Sequence, residues 1–362
     1  MRNGNPYLGG GRYMQNKNAA ALLGSELRRY GVRRAFILGG HTALSIAAPR
    51  FIPSIKDEKI DFLIEEFHGH CTLKKVAALR EKADAYHADI IVGVGGGKAL
   101  DTAKFLANDM RLGVITVPTS AATCAAFAVL SVVYSDDGDV LYSVFHDREV
   151  LSVLVDTDII TSHCPPRMFA SGIADALAKY PEIAFSMDFA TDWEKTVLPA
   201  TALVLSKYTW DFFQTRGRSA LSDIEAKNIT VNAEDVLCAS IALTGTISSL
   251  VSGGKQLAVA HSFYDSICKN FKPQQKKFLH GEIVSAGILL QMTVNGMEPA
   301  KIETIRSFLR SIGTPVSLRD LEIEPTARNI DIIYDYIRMT MNLTEKWMID
   351  RLRTGLEGLL SG

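Results

Sequence analysis

Three glycines and a lysine, Gly95-Gly96-Gly97-Lys98, follow the apolar run Ile90–Val94 and precede Asp101 and Lys104. This order reads as a buried strand turning into a helix, whose first-turn N–H groups have no intrahelical partner. Glycines let the backbone approach an anion closely, and the positive end of the helix dipole favours its charge. The spacing is not a full G-x-G-x-x-G, because Lys98 stands at the third glycine. It is not a Walker loop either, which needs Gly in place of Val92 and Ser or Thr in place of Ala99. The chemistry implied is binding of a nucleotide phosphate.

A second group of residues could ligate a metal. Asp175, His261 and His280 each sit among small or apolar neighbours, far apart in the chain and in no local pattern such as H-E-x-x-H. One carboxylate and two imidazoles suit a catalytic zinc with an open fourth position; equally, a histidine in such surroundings is ordinary in a core. Lys179 lies four residues after Asp175, on the same face of a helix. There it either meets a substrate carboxylate or forms a plain i,i+4 pair.

Short apolar runs alternate with helical periodicity in the first part of the chain. The runs Arg34–Leu38, Ile60–Phe67, Ile90–Val94 and Gly113–Pro118 read as strands, and Ala19–Tyr30 and Leu73–Tyr86 as helices. Gly39-Gly40 reads as the start of a loop. Val129–Tyr134 and Val140–Phe145, about an Asp137-Gly138 turn, predict a hairpin, and Val150–Val155 a last strand. Beyond Pro165-Pro166 the pattern is helical, as in Ala226–Val251 and Gly281–Asn295. The expected fold is a parallel sheet covered on both faces, over residues 1–162, followed by a helical domain over 163–362, with the small-molecule site in the cleft between them.

Composition narrows the function. A net charge of −1 gives no basic excess for nucleic acid, and no stretch is long and apolar enough for a membrane span. Five scattered cysteines without a C-x-x-C pair fit reduced thiols, and the polar opening stretch lacks a signal-peptide core. The expectation is a cytoplasmic homo-oligomer acting on a small molecule.

Several stretches carry a resemblance. Gly95-Gly96-Gly97-Lys98-x-x-Asp101-Thr102-Ala103-Lys104, Val117-Pro118-Thr119, Leu130-Ser131-Val132-x-Tyr134, Gly172-Ile173-x-Asp175-Ala176-Leu177-Ala178 and Phe278-Leu279-His280-Gly281 occur in that order. They resemble the motifs of the glycerol dehydrogenase-like group of iron-containing alcohol dehydrogenases, from about Gly11 to Gln291. The resemblance implies a Rossmann-like α/β domain and an all-α domain, in the dehydroquinate synthase-like architecture. It also implies that Gly95, Gly96, Gly97, Lys98, Ala99, Leu100 and Asp101 bind the pyrophosphate and nicotinamide ribose of NAD(P). Thr119, Ser120, Ala121, Ala122, Ala128, Leu130 and Tyr134 fall on further cofactor positions, and Asp175, His261 and His280 on those of a divalent metal, zinc above all.

Two departures bear on specificity. Cys124 stands where glycerol dehydrogenases carry a substrate-binding Asp, and a thiol cannot accept two polyol hydrogen bonds as a carboxylate does. Gly40, followed by His41, stands where NAD-specific members place an Asp against the adenosine ribose, which removes a repulsion of the 2′-phosphate. Together with His68–Cys71 and Asp175–Lys179, these departures resemble the hydroxycarboxylate dehydrogenase subgroup. The expected reaction is hydride transfer between NAD(P), NADPH slightly favoured, and a small 2-oxo acid. A glycerol or 1,2-diol dehydrogenase is the alternative, ahead of a dehydroquinate synthase-like lyase or a non-catalytic nucleotide-binding protein.

Overall fold

The computed structural model describes residues 10–189, 195–251 and 257–360. The first nine residues of the polar opening stretch lie outside them. The chain divides into two compact units. One runs to Pro166 and resumes over Asp223–Ser252, and the other comprises Arg167–Ser222 and the chain from Gly253 on.

The first unit is built on a six-stranded parallel sheet. Its strands are β1 (Arg12–Asn16), β2 (Arg34–Gly39), β3 (Asp61–Glu66), β4 (Ile90–Gly95), β5 (Gly113–Pro118) and β8 (Ser152–Asp156), in the order β1-β8-β5-β4-β2-β3. β6 (Leu130–Tyr134) and β7 (Val140–Phe145) form a separate antiparallel hairpin. Every residue of β4 and β8 is buried, as in strands covered on both faces. Ile37, Val92, Val94, Ile115 and Val117 form one core with Leu44, Ala47, Phe51 and Ile55.

Those last four residues belong to the helix His41–Asp57, where the sequence reads as a loop. Gly39-Gly40 and the internal Pro49 and Pro53 argue against a helix, since each proline lacks an N–H and crowds the preceding turn. Burial of one complete apolar face against the sheet overrides that cost. Strand β1 is also absent from the sequence expectation, because its residues RYMQN are half-buried at a sheet edge and carry no apolar run.

Residues from Asp223 to Val251 join the first unit, although their periodicity groups them with the later helices. They comprise Val231–Cys238, a π-helical turn Ala239–Leu243 and Thr244–Leu250. Contact with the stretch after β5 and with β1 accounts for the assignment: a Cβ on Gly245 would lie 2.9 Å from the Phe127 ring, and Gln15 donates to the Glu234 carbonyl at 2.8 Å.

The second unit is helical. The helices that matter for the site are Pro166–Asp188, Val259–Asn270 and His280–Val294. Gly281 permits the closest approach between two of them: a Cβ there would stand 1.9 Å from the Ser171 carbonyl oxygen, and its N–H donates to Ser171 Oγ at 3.1 Å. Gln291 Oε1 accepts the N–H groups of Val259 and Ala260 at 2.6 and 3.3 Å, docking the start of the helix that carries His261. Among the described residues no helix is long and apolar enough to cross a membrane, and all five cysteines are free thiols.

Candidate active site

In a parallel sheet all the strands end on one edge, and ligands bind outside that edge where the chain order reverses. Here the reversal lies between β4 and β2. The glycine turn follows β4, and Gly40 follows β2 as the N-cap of the helix His41–Asp57. Gly95 has φ +140°, a conformation L side chains rarely adopt, and it swings the chain into the helix Gly97–Met110, with Gly96 as N-cap. Among the described residues no side chain caps this helix, so its first N–H groups point out of the strand edge. Lys98, Ala99 and Leu100 form its first turn. Thr119 N–H donates to the Gly95 carbonyl at 3.0 Å, bringing Thr119–Ala122 beside the turn. The Ser120 hydroxyl would lie 3.3 Å from a Cβ on Gly96.

Asp101 faces inward from this helix. Its carboxylate receives the Lys104 ammonium at 2.9 Å and the Val132 N–H at 3.1 Å, and its carbonyl accepts the Ser131 hydroxyl. Lys104, almost fully buried, also donates to the Ala128 and Leu130 carbonyls. Asp101 therefore anchors the segment Ala128–Tyr134 against the helix behind the glycine turn. Tyr134 packs against His70 with ring centroids 4.8 Å apart and the rings tilted by 43°, and its N–H donates to the Cys71 carbonyl. Cys124 opens a short helical turn, with its buried Sγ 3.8 Å from Ser248 Oγ.

The second unit brings Asp175, His261 and His280 together. Asp175 Oδ1 is 3.3 Å from His261 Nε2 and 3.2 Å from His280 Nε2, and one ligand atom from each residue lies within 4.8 Å of the others. Two further carboxyl groups, absent from the sequence expectation, complete the surroundings. Glu182 holds His261 Nδ1 at 2.8 and 2.9 Å and accepts its backbone N–H at 3.0 Å. Glu182 lies seven residues after Asp175, hence on the same helix face. That spacing of Asp175, Lys179 and Glu182 was the signal available in the sequence.

Charge follows from this geometry. Burial opposes ionisation of Asp175, but the charge of His280, hydrogen bonds to both imidazoles and the Lys179 ammonium hold its carboxyl well below the usual range. Burial likewise opposes a proton on His261, yet Glu182 and Asp175 push it up to about 9 against the pull of Lys179. Asp265, one turn beyond His261, is pushed up by burial to about 6. The cluster thus favours positive charge at His261, beside the position a cation would share. With Nδ1 of His261 engaged by Glu182, Nε2 is the nitrogen left to ligate, as in carboxylate-histidine-metal arrangements. The donor set fits a divalent cation.

Comparison with known proteins places the chain in a family. The sequence pattern described as iron-containing alcohol dehydrogenase matches residues 10–157. A glycerol dehydrogenase of Escherichia coli O6:H1 is 32% identical over 87% of this chain and 84% of its own length. Hydroxycarboxylate dehydrogenase A of Escherichia coli K12 is 32% identical over 80% of this chain and 78% of its own. Among solved structures, a probable glycerol dehydrogenase from Sinorhizobium meliloti 1021 superposes with a TM-score of 0.84 at 24% identity, covering 100% of this chain and 98% of that one. This chain is a member of the iron-containing alcohol dehydrogenase family, and so an oxidoreductase.

Proposed function

We propose that the protein is an NAD(P)-linked, divalent-metal-dependent dehydrogenase of a small polyol of the glycerol kind. The observation that carries this reading is the convergence of Asp175, His261 and His280. Held there, zinc or another divalent ion supplies Lewis-acid polarisation of a substrate oxygen, and the dinucleotide supplies the two-electron hydride acceptor or donor. Overall, an alcohol and NAD(P)+ give a carbonyl compound, NAD(P)H and a proton.

The chain's own residues have separate tasks. Gly96, Gly97 and Lys98 present N–H groups to the pyrophosphate, and Ser120 lies beside them. Asp101 and Lys104 fix the Ala128–Tyr134 segment that extends this surface. Asp175 contributes a full negative charge, and Glu182 orients His261.

Relatives named glycerol dehydrogenase support the polyol over the 2-oxo acid expected from Cys124 and Gly40. The 2-hydroxy acid stays as a second reading on one observation: Lys179 bears electrostatically on both Asp175 and His261, where a cation suits a substrate carboxylate. The related hydroxycarboxylate dehydrogenase supports it too.

The test is turnover of glycerol, 1,2-diols, dihydroxyacetone and 2-oxo acids with both dinucleotides, with and without zinc after chelation. The polyol reading expects dihydroxyacetone to exceed any 2-oxo acid in kcat/KM by about tenfold, a difference of about 1.4 kcal/mol in transition-state binding. The reverse order establishes the second reading. Absence of turnover from metal-loaded protein that binds dinucleotide removes both.

A further inference from the structure

Gly40 leaves β2 without the strand-end carboxylate that ordinarily distinguishes a ribose diol from a ribose 2′-phosphate, but the neighbouring strand places another beside it. β3 pairs in parallel with β2 in a register that sets Glu66 opposite Gly39, so Glu66 ends its strand level with the last residue of β2. Successive side chains on a strand point to opposite faces. Glu65 accordingly turns to Lys82, whereas Glu66 reaches the Gly40 side. There His41 Nδ1 lies 2.9 Å from Glu66 Oε1, and His68 Nε2 3.5 Å from Oε2. The carboxylate is half exposed between two exposed imidazoles. Lys75, on the following helix, is turned to the His68 carbonyl beside the Phe67 ring.

The line from phosphate to adenosine follows from the strand order. From the glycine turn of β4 the next strand outward is β2, and the next and last is β3. Gly40 is adjacent to the turn: a Cβ on Gly95 would come within 4.0 Å of its N–H. Among the described residues, a Cβ on Gly40 would meet nothing nearer than the Phe67 carbonyl at 3.9 Å, which leaves room above it. His41 and Glu66 also line a groove with Leu44, Ala48 and Ile52 of the helix.

Resting on the dinucleotide reading above, we propose that Glu66, held by His41 and His68, is the residue that selects NAD(H) over NADP(H) in this protein. Its carboxylate accepts the adenosine ribose hydroxyls and repels a 2′-phosphate. The hydrogen bond with His41, against some desolvation and with further help from the His41 and His68 charges, lowers its pKa, so it is ionised near neutrality. This reverses the NADPH preference expected from Gly40 alone.

Binding of NADH and NADPH to the metal-loaded protein, followed by calorimetry at pH 7.5, tests the assignment without reference to turnover. The native protein is expected to bind NADH at least tenfold more tightly. Glu66→Gln and Glu66→Ala are expected to bring the two affinities within about threefold, mainly by a gain for NADPH, at an unchanged unfolding temperature. Glu65→Gln, on the opposite face, should leave the native ratio in place. A native preference for NADPH, or a native ratio that survives in both Glu66 variants, overturns the proposal. Binding of neither dinucleotide by the native protein is a different result and removes the dinucleotide reading itself.

Discussion

Gly96 has an extended backbone, φ −89° and ψ −179°, that any residue adopts, and among the described residues the only close neighbour for a Cβ is Ser120 Oγ. The chain therefore tolerates a side chain there, whereas a phosphate resting on the adjoining N–H groups does not. Gly96→Val is expected to unfold within a few degrees of the native protein but to bind dinucleotide at least 100-fold more weakly by calorimetry. Native-like affinity would place the pyrophosphate elsewhere. Glu182 offers a matching test in the other group. Glu182→Gln keeps a hydrogen-bonding side chain of similar shape but removes the charge that favours a cation at His261. Such outer-shell changes cost about 10–100-fold in metal affinity, and competition with a chromogenic zinc chelator should show that loss. Unchanged affinity would mean that the metal does not bind through His261 Nε2.

Among the elements, the hairpin β6–β7 depends on a buried polar network for its docking. Ser131 Oγ gives its proton to the Asp101 carbonyl, so His146 must donate from Nε2 to Ser131, a contact of 2.8 Å. Its Nδ1 is then unprotonated, buried and without a partner among the described residues. Burial, aided by the Lys104 charge, lowers the pKa of His146 to about 3. The unfolded chain takes up this proton near 6.5 and the folded chain does not, so this contribution is complete above pH 6.5 and is lost as pH falls toward 3. The expected loss is about 1.4 kcal/mol for each pH unit in that window. Urea unfolding from pH 7 to 4 should show a shallower decline in His146→Gln, and an identical decline would assign the acid sensitivity to other groups. The sequence shows this hairpin plainly, because alternating β-branched runs flank a D-G turn. It shows the helix Leu73–Tyr86 and strand β5 equally well, since local pattern and burial agree there. It hides the helix His41–Asp57, whose prolines speak against it and whose support comes from the sheet. It also hides the partnership of Glu182 with His261, which rests on contact between helices far apart in the chain.

At the scale of the whole molecule, the two groups of site residues fall in different compact units. The glycine turn, Thr119–Ala122 and Ala128–Tyr134 belong to the first, and Asp175, His261 and His280 to the second. A ligand that binds only the folded form stabilises it by RT ln(1 + [L]/Kd), about 2.7 kcal/mol at a hundredfold excess over Kd. For units of roughly 150–250 residues, that corresponds to about 5–10 °C in unfolding temperature. Each ligand should act first on the unit that holds it. Hydrogen exchange is expected to slow over Pro166–Asp188, Val259–Asn270 and the start of His280–Val294 when zinc is added. It should slow over Ile90–Met110 and the stretch after β5 when the dinucleotide is added. His280→Ala should abolish the first pattern and spare the second, and Gly96→Val should do the reverse. Zinc that protected the glycine turn in the absence of dinucleotide, and left the helices of Asp175 and His261 unchanged, would show that the metal does not bind at these three residues.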